Sequence, residues 1–162
     1  LMALNPDVTV SIIDGGYRQL AVGGAETEVG DNRRLEFPRR LGSVADWRAS
    51  AATALSFTGL LLDVRSYDEY SGKKRTAGAP ADSAPGSVWL YAYEFCDPIT
   101  GQVLPMNQSR AIIESYGLID KEIIIIGDGQ GVECLARRML TLCGATKPRV
   151  LHGGYPALSE AN

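Results

Sequence analysis

Cysteine and histidine are scarce in this sequence of 162 residues, which holds three cysteines and a single histidine. Cys96, Cys134 and Cys143 include no Cys-x-x-Cys pair, and an odd number of cysteines gives no complete disulfide framework. With His152 as the only histidine, the chain also lacks the paired ligands of a zinc site. We therefore expect reduced thiols, a cytoplasmic setting, and neither a metal nor another cofactor.

Long apolar runs and an excess of positive charge are missing as well. No stretch approaches the ~20 apolar residues that cross a bilayer, so we expect no membrane partner. The 16 lysines and arginines are outweighed by 19 aspartates and glutamates, which gives no positive field to attract a nucleic-acid backbone. The composition is that of a globular protein, 45% hydrophobic, and on length alone a single domain is expected.

A short internal repeat qualifies that expectation. The stretch IIDGGYRQL at residues 12–20 resembles VLHGGYPAL at residues 150–158, an offset of 138 positions. Chance is one interpretation, because the shared Gly-Gly-Tyr is short. The interpretation we favour is that residues 1–20 are the tail of a preceding repeat in a longer tandem-repeat protein. Residues 21–38 contain several glycines and charges without apolar periodicity and are predicted to be a linker, and residues 39–162 are predicted to form the next domain.

From residue 39 onward, strand and helix signals alternate. Strands are predicted at residues 60–62, 87–91, 123–126 and 150–151. Helices are predicted at residues 44–54, 107–116 and 132–143, and a short helix is predicted after Ser66, which forms a capping-box pattern with Glu69. This order is typical of an α/β domain in which helices cover both faces of a parallel sheet.

The helix at residues 132–143 is the most strongly marked. Its apolar residues recur at the spacing of one helix face, and Cys143 continues that face. Glu133 and Arg137 are four positions apart and are predicted to pair on the opposite, polar face. Gly144 ends the helix.

Two segments follow apolar strands, where the sites of open parallel sheets lie. The first is Asp63-Val64-Arg65. The second is Asp128-Gly129-Gln130-Gly131-Val132-Glu133, which leads from the isoleucine strand into the long helix. Its glycines allow successive backbone N–H groups to point inward at the positive end of a helix dipole, an arrangement that suits an anion.

These segments resemble the rhodanese superfamily of thiosulfate and mercaptopyruvate sulfurtransferases over residues 39–162. The matching pieces, in order, are Leu61-Leu62-Asp63-Val64-Arg65 with Glu69, then Pro85-Gly86-Ser87-Val88, then the strand, loop and helix of residues 123–143, and Leu151-His152-Gly153-Gly154-Tyr155. The resemblance implies a five-stranded parallel sheet flanked by helices on both faces. It also implies an active-site loop of Cys-x-x-Gly-x-Thr/Ser type, whose thiolate takes up a sulfane sulfur as a persulfide.

The sequence departs from that family at the nucleophile. Asp128 occupies the position of the cysteine, Gly131 matches the glycine, and Glu133 stands where a hydroxyl residue is usual. A carboxylate cannot carry a persulfide, and in the loop we expect Asp128 to accept the loop's own N–H groups and repel thiosulfate. If the alignment slips by one position, Gly127 takes the nucleophile's place and the conclusion is unchanged. Ser83 is a further departure, since the family commonly has histidine there.

Other candidates carry structural interpretations. The resemblance implies that Asp63, Arg65, Glu69, Pro85 and Gly86 form a structural motif. Cys134 is expected on the helix surface, Cys143 in the core and Cys96 near the surface, so none of them replaces the missing nucleophile. We interpret Lys73-Lys74-Arg75 as a solvated loop and His152 as a turn residue. The pattern Gly127-Asp-Gly129-Gln-Gly131 fails the spacing of a dinucleotide-binding turn.

Two functions remain open at this point. In the first, the domain is catalytically silent and supports another rhodanese-like domain of the same protein in a tandem sulfurtransferase. In the second, it is a non-catalytic scaffolding module or one that binds a small anion. The loop sequence of a neighbouring repeat would distinguish the two functions.

Overall fold

The strands of the chain form a single five-stranded sheet in the part of the molecule that its computed structural model describes, residues 14, 20–24, 47–75, 82–129 and 131–161. Its strands are β1 (Arg48–Ala49), β2 (Leu60–Asp63), β3 (Val88–Trp89), β4 (Ile123–Ile126) and β5 (Arg149–Leu151). Their order is β1-β5-β4-β2-β3, and every neighbouring pair is parallel. The predicted α/β class with a five-stranded parallel sheet is confirmed.

Five α-helices accompany the sheet within the described residues between 47 and 161. They are α1 (Ala51–Leu55), α2 (Tyr67–Tyr70), α3 (Met106–Ser115), α4 (Val132–Leu142) and α5 (Gly154–Glu160), with a 3-10 helix at Ala92–Phe95. None of the helices in the described ranges is long and apolar enough to span a membrane.

The central strand β4 explains why both faces of the sheet are covered. Ile123 and Ile125 belong to a core cluster with Ile113 of α3 and Leu140 of α4. The intervening isoleucines, 124 and 126, belong to a second cluster with Ala54 of α1 and Leu158 of α5. Successive side chains of a strand point to opposite faces, so a run of four isoleucines buries apolar surface on both sides at once.

One predicted element is corrected near the start of the domain. Residues 44–54 were expected to be one helix, but β1 occupies Arg48–Ala49 and the helix begins at Ala51. Ser50 sets that start, because its side chain accepts the backbone N–H of Thr53 at 3.1 Å. Residues 44–46 lie outside the described part of the chain.

The remaining elements follow the prediction with smaller differences. Helices α3 and α4 and strand β4 lie where they were expected, whereas the strand predicted at residues 87–91 is limited to Val88–Trp89. Ser66 precedes α2 as predicted, but its side chain caps no backbone N–H and instead hydrogen-bonds to Glu69 Oε2 at 2.6 Å.

The described residues fall into two units. One comprises Cys96–Val103 with the described part of Leu1–Val44, and the other comprises the described parts of Ala45–Phe95 and Leu104–Asn162, which include the sheet. In the first unit, Asp97 Oδ1 accepts the backbone N–H groups of Ile99 and Thr100, and Asp14 Oδ1 accepts the N–H of Val103 at 2.9 Å. The predicted repeat tail at residues 1–20 and the linker at residues 21–38 lie mostly outside the described residues and stay predictions.

Candidate functional site

The loop between β4 and α4 lies at the carboxyl edge of the sheet. It leaves the sheet after Ile126 and enters the helix at Val132. Gly129 and Gly131 have φ angles of 81° and 126°, which residues other than glycine rarely adopt. The glycines of the loop are therefore required by its backbone path. Gln130 lies outside the described residues.

This loop is packed, backbone to backbone, against the turn that starts α5. The N–H of Tyr155 donates to the carbonyl of Gly127 at 2.8 Å. A Cβ on Gly154 would lie 2.6 Å from both the Gly127 oxygen and the Gly129 nitrogen, a distance that no side chain can occupy. The Gly-Gly of the HGGY sequence thus lets α5 approach the loop closely.

Glu133 turns inward to the loop, which corrects the prediction that it pairs with Arg137 on the polar face. It is only 6% exposed, and its Oε2 accepts the N–H of Gly131 at 3.3 Å. A Cβ on Gly127 would lie 2.9 Å from the Glu133 Cβ and closer still to its carboxylate. Arg137 instead donates from Nε to the carbonyl of Pro148 at 3.0 Å. The spacing rule failed because Glu133 is in the first turn of α4, where the free N–H groups of the helix and loop lie.

Asp63 and Arg65 form a buried ion pair at the end of β2, in which the side chains are 0% exposed. Arg65 donates from Nε to both Asp63 oxygens, at 3.0 and 3.2 Å, and from Nη2 to Oδ2 at 2.6 Å. Its Nη2 also donates to the Asp82 carbonyl at 3.0 Å, and its guanidinium carbon lies 3.8 Å from the centroid of the Tyr155 ring. The pair ties β2 to the segment before β3 and to α5.

Tyr155 completes this network. Its hydroxyl hydrogen-bonds to the carboxylate of Asp82. Burial, followed by that hydrogen bond, raises the pKa of Tyr155 to about 12. The ring therefore stays neutral beneath the Arg65 guanidinium, and sequence reasoning did not identify this role.

A separate open cavity of about 430 Å³ lies on the α1 and α5 side of the sheet. Phe57, Leu61 and Leu158 contribute apolar lining, and Asp82 and Ser83 contribute polar lining. None of the described loop residues, 127–129 and 131–133, lines it. The cavity and the loop are therefore two distinct features of the unit.

A family model described as "Rhodanese-like domain" matches residues 45–161. The chain belongs to the rhodanese-like family. No curated protein gives a significant match. Among solved structures, the wild-type structure of EanB superposes with a TM-score of 0.74 at 19% identity, and so does a persulfide form of EanB in a tetrahedral intermediate state with ergothioneine. Each comparison covers 98% of this chain and 41% of the EanB chain, so the chain spans about two fifths of that protein. At this identity the likeness shows the fold.

None of the three cysteines belongs to the loop of residues 128–133. Asp128 is half-buried within the loop. Cys134 is exposed on α4, although neighbouring atoms partly desolvate its thiol. This desolvation, followed by the charge of Glu133, raises the pKa of Cys134. Cys143 is buried with its Sγ 3.5 Å from Met106 Sδ, and Cys96 belongs to the first unit. The expected surface position of Cys134 and core position of Cys143 are confirmed.

The other predicted residues lie around the domain without joining the loop. Pro85 and Gly86 form an exposed turn before β3, in which Gly86 has a φ of 74°. His152 is exposed in the turn after β5, with its Nδ1 3.5 Å from Arg48 Nη1. Lys73 is also exposed, with Nζ 5.6 Å from the centroid of the Tyr67 ring.

Proposed function

We propose that this rhodanese-like domain is catalytically silent in sulfur transfer and supports a second rhodanese-like domain of the same protein, which carries the reactive cysteine. The observation that carries the proposal is that Asp128 stands where the resemblance to the family puts the nucleophilic cysteine. All three cysteines of the chain are elsewhere: Cys134 on the surface of α4, Cys143 in the core and Cys96 in the first unit.

The chemistry of sulfur transfer explains why an aspartate at this position would abolish the reaction. In a sulfurtransferase a thiolate attacks the sulfane sulfur of thiosulfate, the sulfur–sulfur bond breaks, and sulfite leaves with the bonding electron pair. Cyanide then attacks the outer sulfur of the persulfide, and the thiolate is released with thiocyanate as product. A carboxylate oxygen is neither a comparable nucleophile toward sulfur nor a leaving group in the second step.

The size of the chain supports the tandem arrangement. It spans about two fifths of the EanB chain whose rhodanese fold it shares, and EanB is seen in a persulfide form with ergothioneine. The sequence of residues 12–20 resembles the HGGY segment that packs on the loop, as the tail of a preceding repeat would. We therefore propose that sulfur is handled in a neighbouring domain, in a cytoplasmic protein.

The competing function, binding of a small anion in the loop, has an observation against it. Glu133 places a buried carboxylate against Gly127 and the Gly131 amide, where an anion would need unoccupied N–H donors and no like charge. A scaffolding role without any sulfur chemistry in the whole protein stays as the alternative outcome of the tests.

The first test measures thiocyanate formation from thiosulfate and cyanide by the 162-residue chain, beside its Cys134→Ser variant. We expect no turnover by either protein. Turnover by the chain would refute catalytic silence, and its loss in Cys134→Ser would assign the activity to that thiol. The same assay on the longer protein tests the partner role, because activity there requires a neighbouring loop that contains cysteine.

The second test restores the nucleophile with Asp128→Cys in a Cys134→Ser background. After treatment with thiosulfate, we expect intact-protein mass spectrometry to show a gain of one sulfur atom and peptide mass spectrometry to locate it on the peptide that contains position 128. The Cys134→Ser protein that retains Asp128 is the matched control and should gain nothing. Sulfur uptake by that control would show that the loop position is not the determinant.

A further inference from the structure

Glu133 is the second charged residue of the loop, after Asp128. Its position points to a role that goes beyond the absence of a nucleophilic cysteine. We propose that the carboxylate of Glu133 acts as the internal ligand of the loop and sets its charge selectivity, so that anionic reagents, including anionic sulfur donors, react more slowly with a thiol at position 128 than neutral reagents do. The inference rests on the proposed function, because it takes the loop to be the sulfur-transfer loop of the family.

The geometry of Glu133 is that of a bound anion. Its side chain is nearly buried, at 6% exposure, and its Oε2 accepts the N–H of Gly131, an amide of the loop itself. The carboxylate lies against the Cα of Gly127, where any side chain on residue 127 would collide with it. An amide that hydrogen-bonds to a protein carboxylate is no longer available to an entering anion.

The electrostatic effect of this carboxylate reaches neighbouring groups. No arginine or lysine forms an ion pair with Glu133 among the described residues, in which the ion pairs found are Asp63–Arg65 and Arg110–Glu114. Its charge is therefore offset by the loop N–H and the start of α4 and not by a cation. The charge also affects the thiol of the next residue along the chain, Cys134. Partial desolvation of this thiol, followed by the charge of Glu133, raises its pKa.

A charge effect can be separated from a structural effect by two reagents of the same size and mechanism. Iodoacetamide is neutral and iodoacetate is an anion, and in both a thiolate displaces iodide to form a carbon–sulfur bond. A change in the loop's shape or in the thiol pKa alters both rates alike. A change in local charge alters the ratio of the iodoacetate rate to the iodoacetamide rate.

The experiment uses the full chain with Asp128→Cys and Cys134→Ser, and compares Glu133→Gln with the matched control Glu160→Gln. Glu160 is exposed at the end of α5, so its substitution removes one negative charge away from the loop. Alkylation at position 128 is followed by peptide mass spectrometry. We expect Glu133→Gln to raise the rate ratio by about tenfold, because a like charge in a partly buried site strongly repels an approaching anion. The control should stay within about twofold of its parent, as expected for a distant and solvent-screened charge.

Sulfur loading from thiosulfate, another anion, should increase in parallel with the rate ratio in Glu133→Gln. The variant Glu133→Ala provides a second measurement in case the glutamine amide occupies the same N–H group. The proposal is overturned if neither variant changes the ratio, or if Glu160→Gln changes it as much. These outcomes are distinct from failure of the proposed function, which would show as thiocyanate formation by the unaltered chain.

Discussion

Replacing Arg65 by methionine tests whether the Asp63–Arg65 pair is structural. The change keeps an unbranched side chain in place and removes the guanidinium. It leaves the fully buried carboxylate of Asp63 with the Arg65 backbone N–H, at 3.1 Å, as its remaining donor in this motif. It also removes the hydrogen bond to the Asp82 carbonyl and the cation above the Tyr155 ring.

The expected loss follows from this burial. Removing one partner of a buried ion pair typically costs about 3–5 kcal/mol, because the other charge stays buried without compensation. Against a total stability of about 5–15 kcal/mol, that is a large fraction of the free energy of unfolding. Asp63→Asn should cost less than Arg65→Met, because Arg65 then keeps the Asp82 carbonyl, the Tyr155 ring and the oxygen of the asparagine.

Urea unfolding monitored by circular dichroism gives these free energies, provided that the slope of the transition is unchanged. Arg110→Met is the matched control, since Arg110 pairs with Glu114 in an ion pair whose side chains are 58% and 53% exposed. We expect this control to unfold close to the parent midpoint. A loss below about 1 kcal/mol for Arg65→Met, or the reverse order of the two variants, would contradict the structural role.

Three further predictions use the same unfolding measurement. Gly127→Ala should lower the free energy of unfolding by about 1–3 kcal/mol, because the added methyl group overpacks against Glu133. Adding Glu133→Ala should recover part of that loss, and strictly additive losses of the two single variants would contradict the contact. The pKa of Tyr155 is raised from 10.0 to about 12 in the folded protein. The neutral Tyr155 therefore stabilises the fold fully below pH 10, and this contribution is lost as the pH rises from 10 to about 12. The Tyr155→Phe variant should lose less stability over that range than the parent does. Cys143→Ser should cost about 1–3 kcal/mol by burying a hydroxyl, whereas the exposed Cys134→Ser should unfold like the parent.

The sequence predicted the parts of the fold that depend on local patterns. The isoleucine strand and helix α4 were located correctly, since a continuous apolar run and a helical apolar face are each visible within a few residues. Strand β1 was missed because it has only the two residues Arg48–Ala49, and its strand character comes from pairing with Val150 and Leu151. A pattern of period two cannot be recognised over so short a length.

The site shows the same division between local and tertiary information. The loop and its glycines could be located from sequence because a strand, a glycine turn and a helix follow one another there. The inward turn of Glu133 could not be predicted, because its four-residue spacing from Arg137 equally favours an ion pair on the helix surface. Only the position of Gly127 in the fold decides between the two conformations. The stacking of Arg65 on Tyr155 joins residues 90 positions apart and likewise has no local signal.

The shape of the loop between β4 and α4 has a structural explanation in the turn that starts α5. Gly154 approaches the Gly127 oxygen and the Gly129 nitrogen too closely for any side chain, and the Tyr155 N–H donates to the Gly127 carbonyl. The same Tyr155 supports the Arg65 guanidinium, so a change in the loop path would disturb the buried ion pair at the end of β2. The proposed exchange of cysteine for aspartate would leave these packing requirements in place, because they involve the backbone of the loop and not the side chain at position 128. Under the proposed function, these backbone contacts are the reason why the domain keeps its loop although it takes no part in sulfur transfer.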